Sequence, residues 1–336
     1  KILENDNIDA VVLTCCNHWH TPAAIWACQA GKHAYVEKPV SHNIVEGQKL
    51  IEAARKYNRI VQGGTQRRSD GLFRKAAQLL HDGVIGDIYM ARALIFGNRD
   101  SIGFKPMEQP PDWLHWDLWL GPAPQQPYHG NLVHYNWHWF WDFGNGEIGN
   151  NGSHALDVIR WGLNKELPSK VHSVGGRFGY DDQAETPNTQ ATAFEYEDGT
   201  ILTCETRGLY SNAEAKGIRW GGMFYGSEGY MTLKDNRYEI YMGRNEEPEP
   251  DRGRLEQIDH YKNFIDAIRA NNRSLLQAEI EETVLSCALC HLGNIAYRLG
   301  RELHFDPKRQ RFLGDAAANR LLSRKYRKPF EVPKTV

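Results

Sequence analysis

The chain has 336 residues, of which 41% are hydrophobic and 24% charged, a composition typical of a globular protein with its own core. Its 40 basic and 42 acidic residues give a formal net charge of −2, so no basic excess favours nucleic acid as a partner. The apolar runs are far shorter than the roughly 20 residues that a membrane-spanning helix needs, and we expect no membrane partner. The spacing of the six cysteines does not suggest a disulfide framework, which favours a reducing compartment.

The first 66 residues alternate short apolar strands with helices. Strands are expected over 8–14, 33–37 and 59–64, and helices over 44–57 and over 22–30, where Pro22 would lie in the first turn. Short connections between these elements favour a parallel sheet with right-handed crossovers. We therefore expect residues 1–66 to form the C-terminal half of a Rossmann-type nucleotide-binding domain, whose first strand would precede Lys1.

After Arg67 the pattern predicts a second domain, extending over residues 67–336. Residues 101–146 are irregular and rich in aromatic side chains, which favours an ordered functional loop over a linker. Residues 170–241 alternate short strands with glycine-containing turns, which is typical of antiparallel hairpins. Helices are expected over 70–81, 152–162, 259–270 and 278–299, and a surface tail over 300–336. The predicted fold class is α/β: a partial Rossmann domain with a parallel sheet, followed by an α+β domain with a large, mostly antiparallel open sheet.

A lysine stands at the end of the second predicted strand, within the tripeptide Glu37-Lys38-Pro39. Ligands of open α/β sheets bind beyond the carboxyl ends of the strands. Lys38 is therefore placed where chemistry would occur, although an exposed lysine at a strand end is the alternative interpretation.

A histidine and a carboxylate share one face of the helix predicted over 152–162. His154, Asp157 and Trp161 are spaced three and four residues apart, so their side chains lie along one face. Such a group is typical of a functional site, and equally of a buried His–Asp pair that serves structure. The spacing leaves both interpretations open.

Three further patterns have weaker support. GNGEIG at 144–149 matches a dinucleotide-binding fingerprint but lacks the preceding strand, and CALCH at 287–291 matches a haem attachment pattern inside a predicted helix. We interpret the glycines as turn residues and the two cysteines as part of a buried helix face. A zinc site lacks carboxylate or cysteine ligands at suitable spacing, and we expect no metal at its four candidate histidines, His18, His20, His134 and His138.

Several of these segments resemble the Gfo/Idh/MocA oxidoreductases, the family of glucose–fructose oxidoreductase and inositol dehydrogenase. TCCNHWHTPAAIWACQAGKHAYVEKPV (14–40) is similar to the family's N-x-x-H element, here Asn17 and His20, and to the AGKHVxxEKP stretch that follows it. GNNGSHALD (149–157) resembles the family's D-x-G-x-H-x-x-D helix motif, and GDI (86–88) resembles the opening of its C-terminal sheet. The tryptophan-rich segment is similar to a bacterial subgroup associated with sugars and glycosides.

The resemblance implies hydride transfer between NAD or NADP and a carbon of a sugar, sugar alcohol or glycoside. It implies that His154 accepts the hydroxyl proton and that Lys38 binds the same oxygen in one shared cleft, although the two residues exchange roles within the family. The residues implied at the nicotinamide end of the cofactor are Thr14, Asn17, His20, Glu37 and Lys38. Those implied at the substrate are Arg67, Tyr135, His138 and Asp157.

The sequence departs from the family pattern in two places. The family's aspartate four residues before the histidine is Asn150 here, which keeps a hydrogen-bond acceptor but loses the charge. The family's glycine-rich turn would lie ahead of Lys1, so we expect this chain alone to bind NAD weakly. Three alternatives stay open: an NAD-dependent glycoside hydrolase that oxidises its sugar transiently, a catalytically impaired sugar-binding fragment or scaffold, and a zinc enzyme that uses the histidines.

We also expect a homo-oligomer, a dimer or a tetramer, formed through the predicted antiparallel sheet. An open sheet needs its second face covered or polar, and apolar cover is offered by Val174, Phe194, Tyr196 and Ile201. A cytoplasmic location is expected, or a periplasmic one if an export signal precedes Lys1.

Overall fold

The computed structural model describes residues 1–211, 213–214 and 216–336. Near the N-terminus the described residues form a three-stranded parallel sheet in the order β1 (Ala10–Leu13), β2 (His33–Val36) and β3 (Val61–Gly63). Helix α1 (Asn17–Gln29) connects β1 to β2, and α2 (Ile44–Lys56) connects β2 to β3. The expected strand–helix–strand–helix–strand order is confirmed.

The two N-terminal helices differ in how well their starts match the prediction. Helix α2 begins at Ile44 as predicted, and the Asn43 side chain caps it by accepting a hydrogen bond from the Glu46 amide. In contrast, α1 begins at Asn17, and Pro22 lies inside it rather than in its first turn. The prediction was wrong because tertiary packing buries this helix on most of its surface and outweighs one missing backbone bond.

A second, larger sheet forms the rest of the fold. Among the described residues it has nine strands, in the order β12-β11-β10-β4-β9-β8-β7-β13-β14, and only the β4–β9 pair is parallel. The strands are β4 (Ile88–Phe96), β7 (Lys170–Gly176), β8 (Thr189–Glu195), β9 (Ile201–Arg207), β10 (Trp220–Gly226), β11 (Gly229–Lys234), β12 (Tyr238–Met242), β13 (Leu303–Asp306) and β14 (Arg311–Phe312). A separate two-stranded pair is formed by β5 (Met107–Glu108) and β6 (Tyr128–His129). The predicted fold class is confirmed.

Helices cover one face of the large sheet and join the two sheets. The remaining helices are α3 (Gly71–His81), α4 (Trp116–Leu120), α5 (Gly146–Gly149), α6 (Asn151–Leu163), α7 (His260–Arg269), α8 (Ile280–Leu299) and α9 (Ala316–Arg320), with short 3₁₀ helices at Gln66–Ser69, Asn136–Trp139 and Arg273–Leu275. In α8, Val284 and Cys287 pack with the parallel sheet, while Leu289 and Leu292 pack with the large one. The boundary expected near residue 66 stays a prediction, since α8 belongs to both cores.

The open face of the large sheet is less apolar than expected. Val174 and Ile201 are 56% and 41% exposed, but Phe194 and Tyr196 are buried on the helix-covered face. The strand period of two explains the difference, because Phe194 pairs with Leu202 in the register of the core. The prediction that Phe194 and Tyr196 cover the open face was wrong.

The C-terminal tail is more than a surface wrap. It contributes β13 and β14 to the large sheet, and its last turns bury Val332 and Val336 against the parallel sheet. The expectation of a tail lying only on the surface was therefore wrong. The tail therefore packs against both sheets.

A buried ion pair fixes the position of α6. Asp157 is fully buried and accepts hydrogen bonds from Arg68 Nε at 2.9 and 3.0 Å and from Ser286 Oγ at 2.6 Å. Arg68 lies in the 3₁₀ helix after β3 and Ser286 in α8, so three segments meet at one carboxylate. Internal donors bind both oxygens of Asp157, and its expected contact with a substrate hydroxyl stays a prediction.

We predict that Asp157→Asn lowers the free energy of unfolding by about 3 kcal/mol, because it leaves the buried Arg68 guanidinium without its main counter-charge. Chemical denaturation measures the change. The control is Asp198→Asn, which removes the surface partner of Lys165 and is expected to cost less than about 1 kcal/mol. Unchanged stability in Asp157→Asn, together with weakened substrate binding, would contradict the structural role and support the role at the substrate.

Candidate functional site

Lys38 spans the gap between the parallel sheet and α6. It follows β2 by two residues, and its Nζ donates to the backbone oxygen and to Oδ1 of Asn150, both at 3.0 Å. Burial lowers the pKa of Lys38, while the carboxylates of Glu37 and Glu147 act in the opposite direction. The lysine is therefore held in a fixed position at the edge expected for ligand binding in open α/β sheets.

His154 lies one helical turn after the residue that holds Lys38. Asn150 precedes the first residue of α6, and Ser153 Oγ donates to its backbone oxygen at 2.7 Å. Burial and the nearby charges of Lys38 and Arg67 lower the pKa of His154 to about 3, so its ring is neutral near pH 7. Its Nδ1 is buried without a hydrogen-bond partner among the described residues, and the residue lines a cavity.

A cavity of about 660 Å³ opens beside His154. Arg67 is one of its walls, but the guanidinium is held by Asp235 at 2.7 Å and lies 5.0 Å from the ring centre of Trp220. The wall therefore combines a fixed cation, an indole face and amide groups, which suits a polyhydroxylated ligand. The lining residues are Gln66, Arg67, Asp70, Ile95, Phe96, Gly97, Asn151, His154, Arg219, Trp220, Asp235 and Gln257.

His138 and Tyr135 come from the tryptophan-rich segment. The His138 ring stacks on Trp137 at 3.6 Å, and burial together with the charges of Lys38 and Arg99 lowers its pKa to about 4. Tyr135 is half exposed, and its hydroxyl accepts a hydrogen bond from Arg99 at 3.3 Å. His138 is thus close enough to Lys38 to feel its charge, while Tyr135 lies toward solvent. Their roles at the substrate stay predictions.

Two residues expected at the nicotinamide instead have internal partners. The Asn17 amide donates to Asn145 Oδ1 at 3.0 Å, and both side chains are buried. Both ring nitrogens of His20 lie against backbone oxygens, that of Pro39 at 2.7 Å and that of Cys15 at 2.8 Å. Burial nevertheless lowers the pKa of His20 to about 4. Asn17 and His20 therefore hold the loops at the strand ends in place, and their contact with a cofactor stays a prediction.

The remaining residues at this edge suit the nicotinamide end of a dinucleotide. Thr14 directly follows β1 and is exposed, and Lys38 lies across the same edge. Glu37 accepts from Gln66 Nε2 at 2.8 Å and from the Lys38 amide at 3.1 Å, which fixes its carboxylate. Among the described residues, the turns that follow the parallel strands are not the glycine-rich kind that cradles a pyrophosphate. The described residues at this edge therefore fit the nicotinamide end of the dinucleotide.

An ion-paired network supports the start of α6, and the sequence analysis missed it. Glu147 is buried, and its oxygens accept from Arg99 at 3.0 and 3.1 Å and from Asn151 at 2.6 Å. Glu147 lies within the GNGEIG segment that we interpreted as turn glycines alone. The presence of a charged residue within a glycine-rich turn was the feature of the sequence that could have indicated Glu147. Arg99 is far away in sequence, so no local pattern could have indicated it.

Two absences concern the described part of the chain. It contains no group of three or more histidine, cysteine or acidic side chains arranged to hold a metal ion. None of its helices combines the length and hydropathy that a bilayer crossing requires.

Two segments of the chain match models of one protein family. Residues 1–65 match the NAD-binding Rossmann fold of the GFO_IDH_MocA oxidoreductase family. Residues 101–332 match the C-terminal alpha/beta domain of the same family. The expected family resemblance is confirmed, and the first match assigns NAD as the family's cofactor.

The chain is also similar to individual dehydrogenases. It is 32% identical to Myo-inositol 2-dehydrogenase of Thermotoga maritima over 92 residues, which are 27% of this chain and 28% of that protein. The WlbA dehydrogenase of Bordetella pertussis, solved with NADH and UDP-GlcNAcA, aligns with a TM-score of 0.68 at 19% identity, covering 91% of this chain and 81% of that one. Levoglucosan dehydrogenase, solved with NADH and levoglucosan, aligns with a TM-score of 0.66 at 17% identity, covering 90% and 81%.

The alignments with curated relatives span between 26% and 53% of the length of those proteins. The structural alignments, at such low identity, establish the fold. The match over residues 101–332 covers more than half of the sequence. The chain therefore belongs to the Gfo/Idh/MocA oxidoreductase family.

Proposed function

We propose that the protein is an NAD(P)-dependent oxidoreductase that transfers hydride to or from a hydroxyl-bearing carbon of a sugar, sugar alcohol or glycoside. The observation that carries this proposal is the position of Lys38, which is held against Asn150 one turn before His154. Support comes from the family membership and from the dehydrogenases of inositol and of sugars to which the chain is similar.

His154 and Lys38 have different roles at the substrate hydroxyl. His154 is neutral and lines the cavity, so it accepts the hydroxyl proton as general base. Lys38 donates a hydrogen bond to the same oxygen and stabilises its developing negative charge. Because burial lowers the pKa of both groups, an exchange of these two roles is the second form of the proposal. A nicotinamide dinucleotide, when bound, supplies the hydride acceptor or donor.

The cavity beside His154 indicates a polyhydroxylated substrate. Trp220 offers a flat apolar face, and polar side chains surround it, including Gln66, Asn151 and Gln257. A sugar ring presents apolar C–H groups on its faces and hydroxyl groups at its rim, and this matches the arrangement.

A first experiment tests the reaction class. The purified protein is incubated with NAD⁺ or NADP⁺ and a panel of monosaccharides, polyols and aryl glycosides, and both nicotinamide reduction and aglycone release are followed. The cofactor is supplied at millimolar concentration, because weak NAD binding is expected of this chain alone, and we expect net nicotinamide reduction with at least one compound. Aglycone release without net reduction would show the hydrolase alternative, and no turnover in any arm would contradict the proposal.

Replacing Lys38 or His154 tests the two proposed roles. Lys38→Met and His154→Gln are each expected to lower kcat by about 10²- to 10⁴-fold, the usual contribution of a positioned acid or base. Lys75→Met is the control, because Lys75 lies on α3 away from this site, and its kcat is expected to stay unchanged. A loss confined to KM in both variants would contradict a role in proton transfer.

The asparagine at position 150 generates a pH prediction. Asn150→Asp places a carboxylate 3.0 Å from Lys38 Nζ, which raises the pKa of Lys38 and of the nearby His154. A base with a raised pKa stays protonated to higher pH, so the acidic limb of kcat/KM is expected to move up by about one pH unit. Asn164→Asp at the far end of α6 is the matched control and should not move it. A downward shift would contradict the arrangement.

We also propose that the protein forms a homo-oligomer through the open face of the large sheet, where Val174 and Ile201 are exposed. Light scattering is expected to show a dimer or tetramer that dissociates in Val174→Lys/Ile201→Lys. Tyr261→Lys, at an exposed position of α7, is the control and should leave the assembly intact. A monomeric wild-type protein would contradict the proposal.

A further inference from the structure

Two amide side chains, those of Asn151 and Gln66, line the same cavity as His154, and the proposed reaction gives neither of them a role. Asn151 is the first residue of α6 and precedes His154 by three positions, so their Cβ atoms lie about 5–6 Å apart on one helix face. Gln66 begins the 3₁₀ helix that follows β3. An amide at either position is placed to contact a further group of a substrate whose reacting hydroxyl lies at His154.

A buried carboxylate fixes the orientation of the Asn151 amide. The Asn151 Nδ2 donates to Glu147 Oε1 at 2.6 Å, and Glu147 is 4% exposed. Arg99 holds this carboxylate with two hydrogen bonds, of 3.0 and 3.1 Å. Because a carboxylate in an ion pair only accepts hydrogen bonds, the contact identifies the nitrogen end of the amide. The reversed orientation would place the Asn151 oxygen against a carboxylate oxygen, with loss of the hydrogen bond.

The Gln66 amide is oriented in the same way by a different carboxylate. Its Nε2 donates to Glu37 Oε1 at 2.8 Å and to the hydroxyl of the buried Tyr35 at 2.9 Å. The Lys38 amide donates to the other oxygen of Glu37 at 3.1 Å and holds it in place. The nitrogen end of Gln66 is therefore also identified by its acceptor.

Two carbonyl oxygens are thus left to the cavity. Glu147 and Glu37 are not among its lining residues, so the nitrogen end of each amide is directed away from it. Neither Asn151 Oδ1 nor Gln66 Oε1 has a hydrogen-bond partner within the described residues, and neither is shut off from solvent. A carbonyl oxygen only accepts, so each of them calls for a donor group on the ligand.

The third amide that lines the cavity differs, because internal partners occupy both of its ends. Gln257 Oε1 accepts from the Gly71 amide at 3.1 Å, and its Nε2 donates to the Ile258 backbone oxygen at 3.3 Å. Free carbonyl oxygens are therefore a property of Asn151 and Gln66 and not of every amide in this wall.

The charges that line the cavity balance, which narrows the class of ligand. Arg67 is paired with Asp235 at 2.7 Å, and Arg219 and Asp70 add one charge of each sign. An equal number of cations and carboxylates favours a neutral ligand over an ionic one. Hydroxyl groups are the donors that a neutral sugar or polyol carries.

We propose that Asn151 and Gln66 determine the substrate specificity of this cavity, by accepting hydrogen bonds from two further hydroxyl groups of a neutral sugar or polyol. The inference rests on the proposed function, since His154 defines where the reacting hydroxyl lies. Glu147 is a positioning residue, because it holds the Asn151 amide with its oxygen towards the cavity. A compound without a donor at either position leaves a carbonyl oxygen unpaired and is selected against.

Monodeoxyfluoro analogues test the two contacts. They are made from the compound with the highest kcat/KM in the substrate panel, and fluorine replaces one hydroxyl at a time because it cannot donate a hydrogen bond. The measured quantity is the ratio of kcat/KM for the parent compound to that for each analogue. Asn151→Ala is expected to lower this ratio by about five- to tenfold for one analogue, and Gln66→Met for a different one. The inductive effect of fluorine is the same in every variant and cancels in this comparison.

A further variant tests the positioning role of Glu147. Glu147→Gln allows the Asn151 amide to turn over, since a glutamine both donates and accepts. The ratio is expected to fall by at least about threefold for the same analogue that Asn151→Ala identifies, whereas a merely structural role would change kcat/KM equally for all compounds. Asn245→Ala and Glu195→Gln make matched changes at exposed positions outside the cavity and should leave every ratio unchanged. Melting temperatures verify that each variant is folded.

The outcomes separate this inference from the proposed function. Unchanged ratios in Asn151→Ala and Gln66→Met, with turnover of the parent compound retained, would overturn the inference and leave hydride transfer standing. If no panel compound is turned over, calorimetry compares the Kd of the compound that binds most tightly with the Kd of its analogues. Ratios of Kd that fall in the two variants would then support the contacts without the reaction. Unchanged ratios, or no binding of any panel compound at millimolar concentration, would overturn the inference.

Discussion

The ion pair between Arg68 and Asp157 is the interaction on which the arrangement of the site depends. One buried carboxylate joins the segment after β3, helix α6 and helix α8. Isolated buried charges are unstable, so this guanidinium and this carboxylate constrain each other's positions more strongly than apolar contacts would. His154 lies one turn before Asp157 on the same helix. The position of His154 relative to the parallel sheet therefore follows from a buried ion pair between protein side chains.

The electrostatics around Lys38 form a second constraint. A buried ammonium next to an amide, rather than a carboxylate, loses solvation without gaining a full counter-charge at short range. Glu37 and Glu147 supply negative charge from further away, and Arg99 in turn holds Glu147 in place. With the amide of Asn150 as its short-range partner, Lys38 lies in a weaker negative field than a carboxylate at this position would create. Such a lysine is better suited to exchange a proton than one in a tight ion pair.

The large sheet shows how one architecture can hold two separate cavities. Its helix-covered face packs α6 and α8 side by side, and the start of α6 faces the parallel sheet, where Lys38 lies. The other end of α8 meets the tail and the start of α2, where His42, Asn294 and Arg324 surround a different space. The Asn145 backbone oxygen and side chain connect these regions through Asn294 and Asn17. A rigid frame of helices therefore separates the two groups of polar residues.

The sequence by itself determined the order of strands and helices in residues 1–66, the start of α2 at Ile44, the family, and Lys38 and His154 as candidate residues. Those features depend on local patterns: apolar runs, capping residues and short motifs with fixed spacing. Only the tertiary structure decided that Asp157 is paired with Arg68, that Asn17 and His20 bond internally, and that Phe194 faces the core. These outcomes depend on partners distant in the sequence, such as Ser286 for Asp157 and Asn145 for Asn17. A side chain's chemical type is local, but whether its polar atoms remain available to a ligand depends on which distant groups the fold brings within hydrogen-bonding distance.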